Sequence, residues 1–217
     1  GVYSIGVIYT LKNTYFYQMN FLAHIYLSGD NDLITIGNFM ADSIRGKKYK
    51  DYPKAVQIGI LLHREIDSFT DAHPTFRKST KRLHKKYSHY SGVIVDILYD
   101  HFLAKNWLKY SDIPLEEFTD NFYDILSNHV DLLTDQTKRL MPYMIADNWL
   151  LSYASIDGIS RVLSGMNRRT QNRSGMNNAV IDLQEFYSEF EKEFTDFFDE
   201  LIAFSEKKLK ILSSQLK

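Results

Sequence analysis

His63 and Asp67 stand four residues apart in LLHREIDSFTDAHP (61–74), a spacing that puts both side chains on one face of a helix. Asp71 extends the row by a further turn. An imidazole and a carboxylate so placed can share a cation. They can equally be a core histidine and an aspartate paired with Arg64 or another base. A second run, GVIVDILYDHFLAKNWL, sharpens the choice. There Asp96 and Asp100 are four apart, His101 follows directly, and Val93, Ile94, Val95, Ile97, Leu98, Phe102 and Leu103 surround them. An ionised carboxylate in such company needs a strong partner or it takes up a proton. A divalent cation is one such partner, and it needs no cysteine, of which the chain has none. Asp42 and Arg45 follow another apolar stretch in ITIGNFMADSIRG, where Asp42 could also cap or pair locally. His24 is embedded in MNFLAHIYL and, taken alone, reads as a satisfied core histidine. Recurrence of one anomaly in four segments points to a metal or phosphate site built between helices.

The elements that must position these residues are helices. Only four prolines and ten glycines punctuate the chain, and apolar residues recur at three- and four-residue spacing. The pattern predicts an all-α, single-domain bundle with helices over about 20–28, 32–45, 53–71, 75–87, 91–110, 114–133, 136–151, 155–167 and 178–212. In the last of these, Phe186, Phe190, Phe194 and Phe197 form a core-facing stripe with an acidic, solvated back. NRRTQNRSGMNN (167–178) reads as a basic polar loop. His84 and His89 read as solvated, His73 as a loop residue and His129 as lying near a helix end.

At 217 residues, with 44% hydrophobic side chains, the chain suits one domain with a sizeable core. Residues 1–18 read as an N-terminal arm or upstream extension, ahead of a single domain over 19–217 that starts at Met19. The net charge of −1 predicts no general attraction to nucleic acid or membrane. No apolar run approaches a membrane span. Absence of cysteine fits the cytoplasm. No P-loop, G-x-G-x-x-G, G-x-S-x-G or H-E-x-x-H motif is present, so dinucleotide and serine-nucleophile chemistry have no support.

MNFLAHIYLSG, GNFMADSIRGK, GILLHREIDSFTDAHP, DILYDHFLAKNW and VLSGMNRR follow one another as in the acyl carrier protein phosphodiesterases, a family that the chain resembles from Met19 to about residue 210. The resemblance implies an all-helical fold related to the HD metal-dependent phosphohydrolases. It implies hydrolysis of the phosphodiester that links 4'-phosphopantetheine to a serine of holo-acyl carrier protein, releasing the apo-protein. It also implies a divalent cation, manganese foremost, with magnesium or iron as alternatives. Asp42 matches the acid of the family's G-N-x-x-A-D motif. His63 and Asp67 match H-x-x-I-D, with Asp71 in F-T-D beyond them, and Asp100 and His101 match D-H-F-L. Arg45 and Arg64 match basic positions beside these. The adjacent pair reads Asp-His, whereas HD proteins carry His-Asp.

Spacing and resemblance together give a set of expectations. Asp42, His63, Asp67, Asp100 and His101 are the expected metal ligands, of a kind that suits manganese or iron better than all-oxygen magnesium. The cation would acidify water and offset phosphoryl charge. Asp71 would orient the attacking water, and Arg45 or Arg64 would hold non-bridging oxygens. Lys47, Lys48, Arg168, Arg169 and Arg173 would dock an acidic carrier protein. Two other readings stay open: a phosphohydrolase of nucleotides or another small phosphodiester, and a helical binding protein that has lost activity.

Overall fold

Apolar spacing of three and four residues becomes helix throughout the computed structural model, which describes residues 21–216. The arm expected over 1–18 and the start at Met19 lie outside the described residues. Among those described there is no strand. The helices are α1 (Phe21–Tyr26), α2 (Asp32–Met40), α3 (Lys54–Ala72), α4 (Pro74–Tyr87), α5 (Ser91–Lys105), α6 (Leu115–Asn128), α7 (Asp135–Ala146), α8 (Trp149–Ser152), α9 (Ile156–Arg169), α10 (Ala179–Glu185) and α11 (Tyr187–Gln215). The all-α expectation is met.

The tightest crossing lies between α2 and α3, and glycine makes it possible. A Cβ on Gly59 would stand 2.0 Å from the Ile34 carbonyl oxygen and 2.6 Å from the Asn38 nitrogen, while one on Gly37 would stand 2.2 Å from the Val56 oxygen. Any side chain at either position would force the two backbones apart. Asn31 starts α2, its side-chain oxygen accepting from the amides of Leu33 and Ile34. His73 caps α4, where its Nδ1 accepts the Thr75 amide ahead of Pro74 at the first helical position.

The long helix α11 closes the bundle over α3, α4 and α5. Phe190, Phe194 and Phe197 are buried as the stripe requires, joined by Phe198 and Leu201, whereas Phe186 is only half-buried. The acidic back is not wholly solvated. Glu193 is buried, Arg82 of α4 grips both its oxygens at 2.7 Å, and Ser79 donates a third hydrogen bond. Burial alone would raise the Glu193 carboxyl, but the Arg82 and Ser79 hydrogen bonds and the Arg82 charge hold it below its ordinary value.

The helices expected over 32–45, 91–110 and 114–133 end at Met40, Lys105 and Asn128, each followed by a short 3-10 turn, and three further boundaries shift. The helix expected over 136–151 breaks at Asn148, whose backbone is left-handed (φ 42°). The Tyr123 hydroxyl of α6 donates to Asn148 Oδ1 and accepts the Leu150 amide, so a residue distant in sequence caps α8. The helix expected over 178–212 divides at Phe186. The loop expected over 167–178 loses its start to α9, which runs on to Arg169. The remaining turn wraps around Asn167, whose Oδ1 accepts from Ser174 Oγ and the Gly175 amide.

Two outcomes follow from this packing. Gly59→Ala should lower unfolding free energy by roughly 1–3 kcal/mol or more, read by thermal melting, because overpacking falls here on backbone rather than on a flexible side chain. Glu193 has a depressed folded-state pKa, so its contribution is present above the ordinary value of 4.5 and is lost as pH falls below it. Acid titration of stability should therefore show a loss in that window that Glu193→Gln flattens.

Candidate metal centre

Asn38, on α2 one residue past Gly37, is the hub of the site. Its Nδ2 donates to the His24 carbonyl at 2.9 Å and to Ser28 Oγ at 3.0 Å. Its Oδ1 is therefore left to accept, and it lies 2.7 Å from His24 Nδ1. The Asn38 backbone carbonyl lies 2.8 Å from His63 Nδ1. Both histidines thus place the Nδ1 proton on an oxygen acceptor, which leaves Nε2 as the atom that faces outward. The two rings stack with centroids 3.9 Å apart.

Both Nε2 atoms face Asp67. His24 Nε2 lies 3.2 Å from Asp67 Oδ1, and His63 Nε2 lies 3.2 Å from Oδ2. Asp42 joins from the other edge of His63, its Oδ1 3.1 Å from the same Nε2. Ligand atoms of His24, His63 and Asp67 all fall within 4.8 Å of one another, and these three form a possible metal site. The donor chemistry fits a cation: His24 Nε2 is buried and faces Asp67 Oδ1 without a well-formed hydrogen bond, and an imidazole nitrogen in that tautomer has only a lone pair to offer. The histidines form the buried floor, while the Asp67 side chain is 44% exposed and that of Asp42 is 20% exposed, so the site opens on the carboxylate side.

The local field is strongly negative. Burial would lower the His63 imidazole, yet Asp67 and Asp42 reverse this and raise it to about 10. Burial opposes ionisation of Asp67, but His63 and His24 hold its carboxyl far below the usual range. Asp96, on α5, is pushed well up by burial and then by Asp67, Asp71, Asp100 and Asp42. Asp71 is raised by burial and by Asp67, partly offset by Arg77. So many carboxyls around paired imidazoles suit a divalent cation better than any single basic side chain among the described residues.

Asp100 and His101, expected as ligands, are engaged elsewhere. Asp100 is buried with both oxygens occupied, accepting the amides of Leu22 and Ala23 at 2.9 Å. It caps the first turn of α1 and thereby anchors the helix that carries His24. Burial raises its carboxyl to about 8 against the pull of those two amides. His101 points the other way along α5, with Nδ1 2.8 Å from the Tyr153 carbonyl and Nε2 2.8 Å from the Tyr187 hydroxyl. Adjacent residues on a helix diverge by about 100°, and here Asp100 turns to α1 while His101 turns to Tyr153 and Tyr187.

The basic residues also separate. Arg64 donates to the carbonyls of Ile44 and Gly46 and lies over the Tyr49 ring, which fixes the turn that follows Asp42. That turn exposes Arg45, Lys47 and Lys48. Arg168 and Arg169 end α9 and Arg173 lies in the turn beyond it, none of them in the cluster. Sequence reasoning counted His24 among the four anomalous segments without naming it a ligand, and overlooked Asn38. Its signal was the asparagine inside G-N-x-x-A-D, next to a glycine that allows close helix approach.

Fold and site together define an all-helical protein with a histidine- and carboxylate-lined candidate cation site. The chain belongs to the acyl carrier protein phosphodiesterase family, whose model matches residues 19–201. Acyl carrier protein phosphodiesterase of Klebsiella pneumoniae (strain 342) is 34% identical over 201 residues, covering 88% of this chain and 99% of that protein. The protein of the same name from Pectobacterium atrosepticum is 30% identical over 185 residues, covering 85% and 96%. That from Escherichia coli O157:H7 is 31% identical over 194 residues, covering 88% and 99%. No solved structure matches the chain.

His24→Ala should weaken manganese binding as severely as His63→Ala, and Asn38→Ala should weaken it by about 10–100-fold through loss of ring orientation. His101→Ala should leave affinity unchanged. Calorimetric titration of manganese into each purified variant checks all four outcomes.

Proposed function

We propose that this protein is a metal-dependent hydrolase of the phosphodiester linking 4'-phosphopantetheine to a serine of holo-acyl carrier protein. The carrying observation is convergence of the His24 and His63 Nε2 atoms on Asp67, in a chain of this family. His24, His63 and Asp67 are the residues that would hold the cation, with Asp42 beside His63. Two imidazoles with carboxylates favour manganese, then iron, over magnesium. When bound, the cation supplies Lewis acidity toward water and phosphoryl oxygens.

The protein's own groups do the rest. Asn38 holds both imidazoles in the tautomer that presents Nε2. Asp71 lies a helical turn beyond Asp67 on the exposed end of α3, in position to orient the attacking water. Its raised carboxyl is a better proton acceptor than an ordinary aspartate. Arg45 follows Asp42 by three residues and is the arginine assigned to the non-bridging oxygens. Arg64 acts through it, holding the turn by two carbonyl oxygens. Lys47 and Lys48 extend that turn as a positive rim near the open side of the site, complementary to an acidic carrier protein. No helix among the described residues is long and apolar enough to cross a membrane.

Intact-mass measurement of holo-acyl carrier protein incubated with the protein tests the reaction. Loss of the phosphopantetheine mass is expected with manganese and not with a chelator. An unchanged carrier protein, with manganese bound and a small phosphodiester hydrolysed, would instead establish the small-substrate reading. Lys47→Glu with Lys48→Glu should lower kcat/KM for the carrier protein at least about tenfold and spare hydrolysis of a small model diester.

A further inference from the structure

A cleft of about 840 Å³ opens on another part of the molecule, between α8 and α9. None of the residues of the metal centre lines it. That volume lies within the range of small-molecule pockets. Its α9 wall is made by Arg161, Ser164, Gly165 and Arg168, at relative positions i, i+3, i+4 and i+7, which is a single face of the helix. The opposite face of α9 carries the buried Ile159, Leu163 and Met166. A helix that keeps its apolar stripe for the core therefore presents a second, cationic stripe to a concavity.

The other wall is Trp149, half-buried on α8, with Asp147 at the edge. Arg169 reaches the cleft as well. The guanidinium of Arg168 folds back over Gly165, its Nη2 3.8 Å from where a Cβ would stand, so this glycine leaves room for the arginine head. Arg161 and Arg168 make no ion pair among the described residues. Arginines on one wall can pair with phosphate oxygens, serine hydroxyls add neutral hydrogen bonds, and an indole offers a surface for a flat ring. Asp147 adds an acceptor for hydroxyl or amino groups without cancelling the excess of positive charge.

We propose that the cleft between α8 and α9 binds a nucleotide, its phosphates on Arg161 and Arg168 and its ring against Trp149. A concave wall with an aromatic side favours this ligand over a flat protein surface, which would need exposed area more than depth. The site is independent of the metal centre and of the reaction assigned to it.

ADP titrated into the full chain in the presence of a chelator tests the assignment. The chain has two tryptophans and Trp107 is buried, so fluorescence quenching reports chiefly on Trp149. Saturable quenching is expected. Arg161→Ala with Arg168→Ala should weaken it at least about tenfold, while the conservative lysine pair weakens it less. Trp149→Phe should remove the signal while calorimetry still records binding. His63→Ala should leave ADP affinity unchanged. Failure of ADP to bind at millimolar concentration to the folded wild-type chain overturns the proposal. So does ADP binding that is lost in His63→Ala and indifferent to the arginine pair, which would place the nucleotide at the metal centre. If the arginine pair impairs binding of carrier protein and ADP does not bind, the cleft is a protein-docking surface instead.

Discussion

Close approach of α2 and α3 through Gly37 and Gly59 is the constraint on which the site rests. With side chains at these positions the two backbones could not lie as near as they do, and Asn38 could not reach His63 with its carbonyl and His24 with its side chain. His63 sits one turn beyond Gly59 on α3, so the crossing point and the imidazole are set by the same stretch of helix. The asparagine converts backbone proximity into chemistry. By accepting from Nδ1 of both rings, it turns both Nε2 atoms toward Asp67. An apolar residue at 38 would leave the His24 ring free to rotate and its Nδ1 without a partner in a buried setting, while His63 Nδ1 would keep the backbone carbonyl.

Electrostatics explain why the charged residues tolerate their surroundings. Asp42, Asp67, Asp71, Asp96 and Asp100 act on one another across a small region, and only two histidines stand against them at its centre. Asp100 is stabilised differently from the others: the first-turn amides of α1, which have no partner within the helix, supply two donors and the positive end of a helix. The same contact holds α1 in place, and α1 carries His24. An acid that looks like a ligand in sequence thus positions the helix of a candidate one.

Polar ties of this kind recur away from the site. Glu193 joins α11 to α4 through Arg82 and Ser79, and Ser79 also meets the Tyr99 hydroxyl of α5. Asp182 of α10 receives the Tyr87 hydroxyl and Lys86. Glu193 and Asp182 are each matched by a basic side chain and a hydroxyl from a different helix, which satisfies the group and fixes the register between elements.

From the sequence alone, the all-α class, most helices and the pairing of His63 with Asp67 could be read, because they depend on spacing along one chain segment. The family was legible for a related reason: its motifs are short, ordered and local. Helix breaks at Asn148 and Phe186 were not legible. At Asn148 the break depends on Tyr123, a partner distant in the chain. Nor was the division of labour between His24 and the Asp100–His101 pair. His24 has no helical partner at i±4 that could announce a site, and it becomes one only when α1 is laid against α2 and α3. Asp100 and His101 carry the right chemical groups, but the direction in which a buried side chain points is decided by how its helix rolls against its neighbours. That roll is fixed by packing of α5 against α1, α4, α9 and α11, and no local pattern of residues encodes it.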